Sequence, residues 1–549
     1  MNRIILSVIL AISMGLYFTS CGGGDAEHHD NSQVFRFNEL GDVTSLDPAM
    51  SGSFENNWAV NQLFNGLVEM DSKLNVQPSI AKSWTISDDG LTYTFNLRGD
   101  VFFHDDPQFP NGKGRNVTAS DFVYSFSRLF DPTVSNASTL MEAFDEKNTA
   151  NQNGLEAVND STFVIHLEHP FKPFLGILTM KYFSVVPKEV VQFYGDDFDT
   201  HPIGTGPFQL KNWQDETRLD LEKNPHYFKK DENGNQLPYL DIVSVTFIKD
   251  ADAAFLQLLS GELDMLSGVD AINKEKTLKS DGTLQDDMQS KFTLQSAPFL
   301  KTDYIGINVD PNFSGKTTAL QNKLVRQAIN YAIDRDKIVR YRRNNLGTPA
   351  TSGFIPPSMH AFDVSLLKGY SYDPDKAREL LEMANFPDGK GLPMIKLSIA
   401  ASYADIADEI VHQLTELGIP AEVEIMDAGS LTTEVAEGRI MCFRKSWIGD
   451  YPDPENFMSL FYSKHWSPAG VNYTHFSSDE FDRLYEKCLT EQSDSTRSDL
   501  FLRMEQILVE EAPVVPLYYD QVVRLVAKNV TGLSTDPMNL INLERVKKN

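Results

Sequence analysis

Only three cysteines occur in 549 residues, Cys21, Cys442 and Cys488, and no two of them stand in a C-x-x-C spacing. That excludes a disulfide-built scaffold and a thiolate zinc cluster, and leaves a bridge between Cys442 and Cys488 open. Positive charge is also short: 49 Lys and Arg face 77 Asp and Glu, a net charge of -28. Phosphate backbones and anionic headgroups repel such a chain, so nucleic acid is not an expected partner. The sequence has no G-x-S-x-G elbow, no H-E-x-x-H and no phosphate-cradling G-x-x-x-x-G-K-S/T, and His104-Asp105-Asp106 is an isolated polar loop. The expectation is therefore a protein that is not an enzyme and needs no cofactor and no metal. No long hydrophobic run is present either. Ile4 to Phe18 is the longest, and it falls short of the roughly 20 residues that span a bilayer core.

That run follows Arg3 and ends in Thr19-Ser20-Cys21, which reads as a cleaved export signal over residues 1–20. Small residues directly before a cysteine resemble a lipobox, making Cys21 the lipidation site and first residue of a membrane-anchored lipoprotein. Ordinary secretion with a free Cys21 is the alternative. Gly22-Gly23-Gly24 and the polar stretch to Ser32 read as a flexible tether over 21–32. His28 and His29 lie in that tether and carry no metal expectation.

Beyond it, strand-like and helix-like patterns alternate, as in a mixed α/β protein too long for a single core. Leu91–Leu97 and Thr162–Leu167 alternate with period two and predict half-buried strands. Asp121–Leu129 has helical spacing behind the cap candidates Thr118 and Ser120. Lys323–Arg340 predicts one long amphipathic helix, and Asp373-Pro374 opens another to Met383. Breaks rich in Pro and Gly fall near 106–114, 231–238, 346–357 and 387–393, without internal repeats.

The densest chemistry is Arg444-Lys445-Ser446-Trp447-Ile448-Gly449-Asp450-Tyr451-Pro452-Asp453-Pro454, which sets a fixed cation, an aromatic face and a carboxylate in one Pro-broken loop. The prolines end a ladder, so the strand signalled by Arg439–Phe443 should stop near Trp447. Asp450 reads either as a turn cap or as a ligand carboxylate, and Trp447 either as core or as a wall.

This segment resembles the W-x-x-D-Y loop of the periplasmic oligopeptide- and dipeptide-binding proteins, family 5 of the extracellular solute-binding proteins of ABC transporters. Ser45-Leu46-Asp47-Pro48, Leu63–Leu67, Trp84–Leu97, Thr118–Arg128, Gly204–Phe208, Asn224-Pro225-His226-Tyr227 and Val325–Arg335 resemble further family segments in the family's order. The resemblance implies a two-lobed periplasmic-binding-protein fold of type II with a hinged cleft and an additional small domain. Lobe I would comprise 33–67, 201–298 and 511–549, the small domain 68–200 and lobe II 299–510. It implies a monomeric receptor in the cell envelope, facing the periplasm or the cell exterior, that captures short peptides with a free N-terminus and delivers them to permease subunits. It places Asp450 on the ligand's ammonium, Trp447 and Tyr451 beside it, and the backbones of Ser446 and Ile448 on the peptide. Arg444 would serve the ligand's carboxylate or a neighbouring acid. Ala49–Phe54 lacks a glutamate that some relatives carry there, and Ala428 replaces a tryptophan, so oligopeptide, dipeptide and modified peptide stay open. Relatives for nickel chelates, haem or oligosaccharides make a non-peptide solute the alternative.

Overall fold

The computed structural model describes residues 33–135, 137–144, 153–269, 273–313 and 319–549. The expected export signal, the tether and Cys21 lie outside them. An eleven-stranded sheet runs through the molecule. In chain order its main strands are β1 (Val34–Asn38), β2 (Phe208–Gln214), β3 (Arg218–Lys223), β4 (Ile242–Thr246), β5 (Met265–Ser267), β6 (Phe292–Ile307), β7 (Ile395–Ala400), β8 (Ala421–Met426), β9 (Cys442–Ile448) and β10 (Val514–Ala527). Their spatial order is β8-β7-β9-β6-β10-β5-β1-β4-β3-β2, with Thr348–Pro349 also on β10.

Two strands carry the chain between lobes. β6 and β10 have 16 and 14 residues and pair antiparallel, 292–298 with 527–521 and 302–306 with 519–514. The register shifts between Pro298 and Thr302, where proline removes a ladder donor. On one side of that break β10 meets β5, which lies beside β1; on the other, β6 meets β9. The fold is therefore mixed α/β and two-lobed, with strands that could not be short and still belong to both lobes.

In the first lobe a separate four-stranded sheet (81–86, 92–97, 162–166 and 155–159) covers the helix Ala119–Ser127. Phe122 and Phe126 of that helix stand 5.7 and 5.6 Å from Phe163, centroid to centroid. The same apolar cluster continues to Phe35, Phe37 and Trp58, so the small sheet shares one core with the main one.

The family-like segments hold this architecture together. The Asp47 carboxylate takes two hydrogen bonds from Arg128, at 2.5 and 3.0 Å. A Cβ on Gly204 or Gly206 would collide with the carbonyl oxygens of Leu63 or Gln62, so the glycines let two backbones touch. Buried Arg326 donates Nε to the carbonyls of Glu511 and Ala512 at 3.1 Å, and Arg335 donates Nε to Pro516 O at 2.6 Å, tying their helices to the start of β10.

Two expectations need correction. The single helix expected over Lys323–Arg340 stops at Ala332, because Ile333 is extended and the Asp334 carboxylate accepts the Lys337 N–H, starting a new turn. The strand signalled by Arg439–Phe443 begins only at Cys442, since the Arg439 N–H instead closes the preceding helix on Glu434 O at 2.9 Å. Cys442 and Cys488 are buried free thiols, not a bridge.

Candidate functional site

β9 pairs along its whole length with β6, Cys442 opposite Ile307 through Ile448 opposite Lys301. Its other edge meets β7 only at Phe443, opposite Ser398. From Arg444 to Ile448 that edge carries no strand among the described residues. Ser446 is half-buried and Ile448 exposed along it. An unpaired edge is a template for one more extended chain.

The strand ends where Gly449 donates its N–H to Leu300 O at 2.8 Å. A Cβ on Gly449 would stand 3.2 Å from the Phe457 ring, a tight contact that would push the ring by a few tenths of an ångström, so glycine suits the close approach of the loop to the core. The carboxylate of Asp450 follows. One polar group fixes it: the Asn456 Nδ2 donates to Asp450 Oδ2 at 3.1 Å, while the Asn456 Oδ1 accepts from the Asp450 N–H at 3.1 Å and from the Trp447 Nε1 at 2.9 Å. Asn456 is buried and sits in the short helix Glu455–Met458. It locks the indole and the carboxylate into one unit.

Asp450 makes no ion pair among the described residues. Its side chain is open to solvent, yet protein walls stand close around it. That partial desolvation raises its pKa, against the lowering effect of the Asn456 hydrogen bond. Burial raises the Tyr182 phenol to about 12 and also raises Tyr473, and the negative charge of Asp450 adds to both shifts. Tyr182 comes from the first lobe and Tyr473 from the second, so the carboxylate lies where the lobes face each other. A Cβ on Gly176 would stand 3.4 Å from Pro452, a second point where the 449–454 loop meets the first lobe.

Two expected ligand contacts are committed elsewhere. Arg444 forms a fork with Asp303, Nε to Oδ1 at 2.7 Å and Nη2 to Oδ2, and lies over the Tyr403 ring. Asp303 is buried, so this is the neighbouring-acid role for Arg444. Tyr451 is buried in the first lobe's cluster and donates its hydroxyl to Glu455. In this structure its side chain acts as a strut, because a phenol in an apolar core needs a fixed partner.

Glu455 also accepts from Tyr485, and burial pushes its pKa up to about 7 despite both donors. A buried carboxyl with a raised pKa holds a proton that the unfolded chain has released. Its contribution is complete below about pH 4.5 and is lost as the pH rises through 7, on the order of 3 kcal/mol. Glu455→Gln should therefore flatten the fall in melting temperature between pH 5 and 8. An unchanged slope would contradict the burial argument.

Below the loop, Asp453 takes two hydrogen bonds from Arg497 at 2.8 and 3.0 Å. Sequence reasoning missed Asn456, Asp303, Asp453 and Arg497. The only local signal was a polar residue at the start of an apolar run, Asn456 before Phe457-Met458 and Asp303 before Tyr304-Ile305; Asp453 and Arg497 carried none. Such residues are either paired or functional.

Comparison with known proteins places this geometry. Residues 75–468 match the model of the bacterial extracellular solute-binding proteins, family 5. The glutathione-binding protein GsiB of Shigella flexneri is 28% identical over 495 residues, 89% of each chain. The ABC transporter-associated periplasmic binding protein DppA of Helicobacter pylori, solved with the peptide STSA, superposes with a TM-score of 0.77 at 25% identity, covering 94% of this chain and 98% of its own. The murein tripeptide binding protein MppA of Escherichia coli gives 0.74 at 24% identity, over 94% and 99%. A match spanning most of the chain, on a two-lobed fold, makes this protein a member of the family 5 extracellular solute-binding proteins.

Proposed function

We propose that the protein is the receptor of a peptide ABC transporter, taking short peptides between its lobes and delivering them to a membrane permease. The observation that carries the reading is Asp450: a carboxylate held in place by Asn456, open to solvent on one side, partly desolvated by the walls around it and without a cation, beside an unpaired strand edge. A ligand ammonium supplies the missing charge, and an enclosed ion without a counter-charge loses several kcal/mol. The peptide backbone extends along the open edge of β9, so affinity comes from groups that every peptide has, with Ser446 and Ile448 as partners and Trp447 as the wall. Side-chain pockets filled by water then tolerate varied sequences.

Two of the relatives bind peptide-like molecules that carry a free amine, glutathione and a murein tripeptide by their names. Cys21 provides the lipid anchor in this reading, and the tether lets the monomer reach its permease. Calorimetric titration with Ala-Ala-Ala and its N-acetyl form tests the amine. The free peptide should bind and the acetylated one should lose about two orders of magnitude or more. Equal affinity would remove Asp450 from the ligand site.

A further inference from the structure

A pocket of about 350 Å³ opens in the first lobe, in the range of small-ligand sites, about 300–1,000 Å³. Phe54, Ala254, Phe255, Leu266, Val269 and Leu525 give it an apolar side, and Asn38, Ser267, Asn273 and Thr277 a polar one. Glu39 also lines it. This residue follows β1, is 7% exposed, and its Oε1 has no hydrogen-bond partner. Glu55, half-buried in the first turn of the helix Phe54–Leu63, presses its side chain against Gly41 at the same rim.

The strand register gives the direction in which the pocket faces. β1 and β5 run parallel, with Asn38 opposite Leu266. β5 in turn pairs Met265, Leu266 and Ser267 with Val526, Leu525 and Arg524 of β10. The C-terminal ends of both strands therefore point along β10 toward Gln521, where the register breaks and the chain passes to the second lobe. The pocket sits at those ends, on the side of lobe I that looks across to lobe II.

No cation among the described residues pairs with Glu39. Arg524, whose charge opposes the burial of Glu39, spends Nη1 on Ser534 O at 2.8 Å and Nη2 on Asn539 Oδ1 at 2.9 Å, and its Nε has no hydrogen-bond partner. Burial pushes the Glu39 carboxyl up to about 8, with Arg524 opposing and Glu55 adding to the shift. A buried carboxylate is stable only with a counter-charge or a proton. An apolar side leading to an unpaired acid is the complement of an aliphatic stem that ends in a cation.

We propose that this pocket is a side-chain subsite of the peptide cleft, selecting a residue with an aliphatic stem and a cationic head, with Glu39 as the charge partner and Glu55 as a second acid at the rim. The inference rests on the peptide reading above and narrows it to basic peptides.

The test is calorimetric titration of the purified protein with Ala-Ala-Ala and with three tripeptides carrying one lysine, each matched by its norleucine counterpart. At one position lysine should bind about tenfold tighter than norleucine, or more. Glu39→Gln should remove that preference and leave the norleucine peptide unchanged; its folding is checked by thermal melting. The comparison in the unmodified protein stands without the variant. Neutral peptides that bind while lysine gains nothing at any position would overturn the subsite alone. A lysine preference that survives intact in a folded Glu39→Gln protein would also overturn it. Failure of every peptide, neutral ones included, would overturn the peptide reading and the subsite with it.

Discussion

Asp450→Asn should weaken the binding of a short peptide by about 2–5 kcal/mol, a loss of some thirtyfold to several thousandfold. The amide keeps the size of the side chain, and its oxygen can still accept from Asn456 Nδ2, now at 3.1 Å from Oδ2. What disappears is the charge opposite the ligand's ammonium. The cost is then mostly that of enclosing an unpaired cation, which slows no encounter and appears in the dissociation rate. The protein itself should lose no stability, because Asp450 carries a desolvated charge with no cationic partner and burial already raises its pKa. Titration calorimetry beside a thermal melt separates the two effects. Equal affinity in a folded variant would leave Asp450 as a turn residue only.

The opposite pattern is expected at Asp303. Asp303→Ala removes the buried partner of Arg444 and strands a guanidinium that is almost fully enclosed, with Tyr403 under its plane. Breaking a buried pair by removing one member costs about 3–5 kcal/mol, more than the pair contributes when intact. Urea denaturation should show that loss with little change in slope. Arg444→Met, which removes the charge and fills the volume, should cost clearly less. If instead Asp303→Ala were as stable as the parent and failed to bind peptide, Arg444 and Asp303 would belong to the ligand site.

These two residues show what the sequence made legible. The loop from Arg444 to Pro454 was recognisable because its prolines had to end a strand and its charged and aromatic groups were too close together for a plain turn. The strand does end at Ile448, within one residue of that expectation. Its start was misplaced, since Arg439-Ile440-Met441 is as apolar as a strand needs but its first N–H caps a helix. Helix boundaries failed in the same manner. The pattern over Lys323–Arg340 is continuous in hydrophobicity, and the break at Ile333-Asp334 comes from a carboxylate that competes for a backbone N–H.

Partners were harder to read than positions. Nothing local says that Arg444 finds Asp303, a residue 141 positions away, or that the Tyr451 ring packs into the first lobe's cluster while its hydroxyl stays on nearby Glu455. Those pairings follow from strand register and from which lobe the loop touches. Asn456 was invisible for a related reason. An asparagine looks ordinary until the indole and the carboxylate it holds are both in place.

The central claim is that Asp450 receives the free amine of a short peptide. Native mass spectrometry of the protein from Gln33 onward tests it most directly, first as purified and then with tripeptides bearing free or acetylated N-termini. The account predicts bound masses of short peptides, retained with a free amine and absent after acetylation. Acetylated and free peptides bound alike, or no peptide bound in either case, would contradict it.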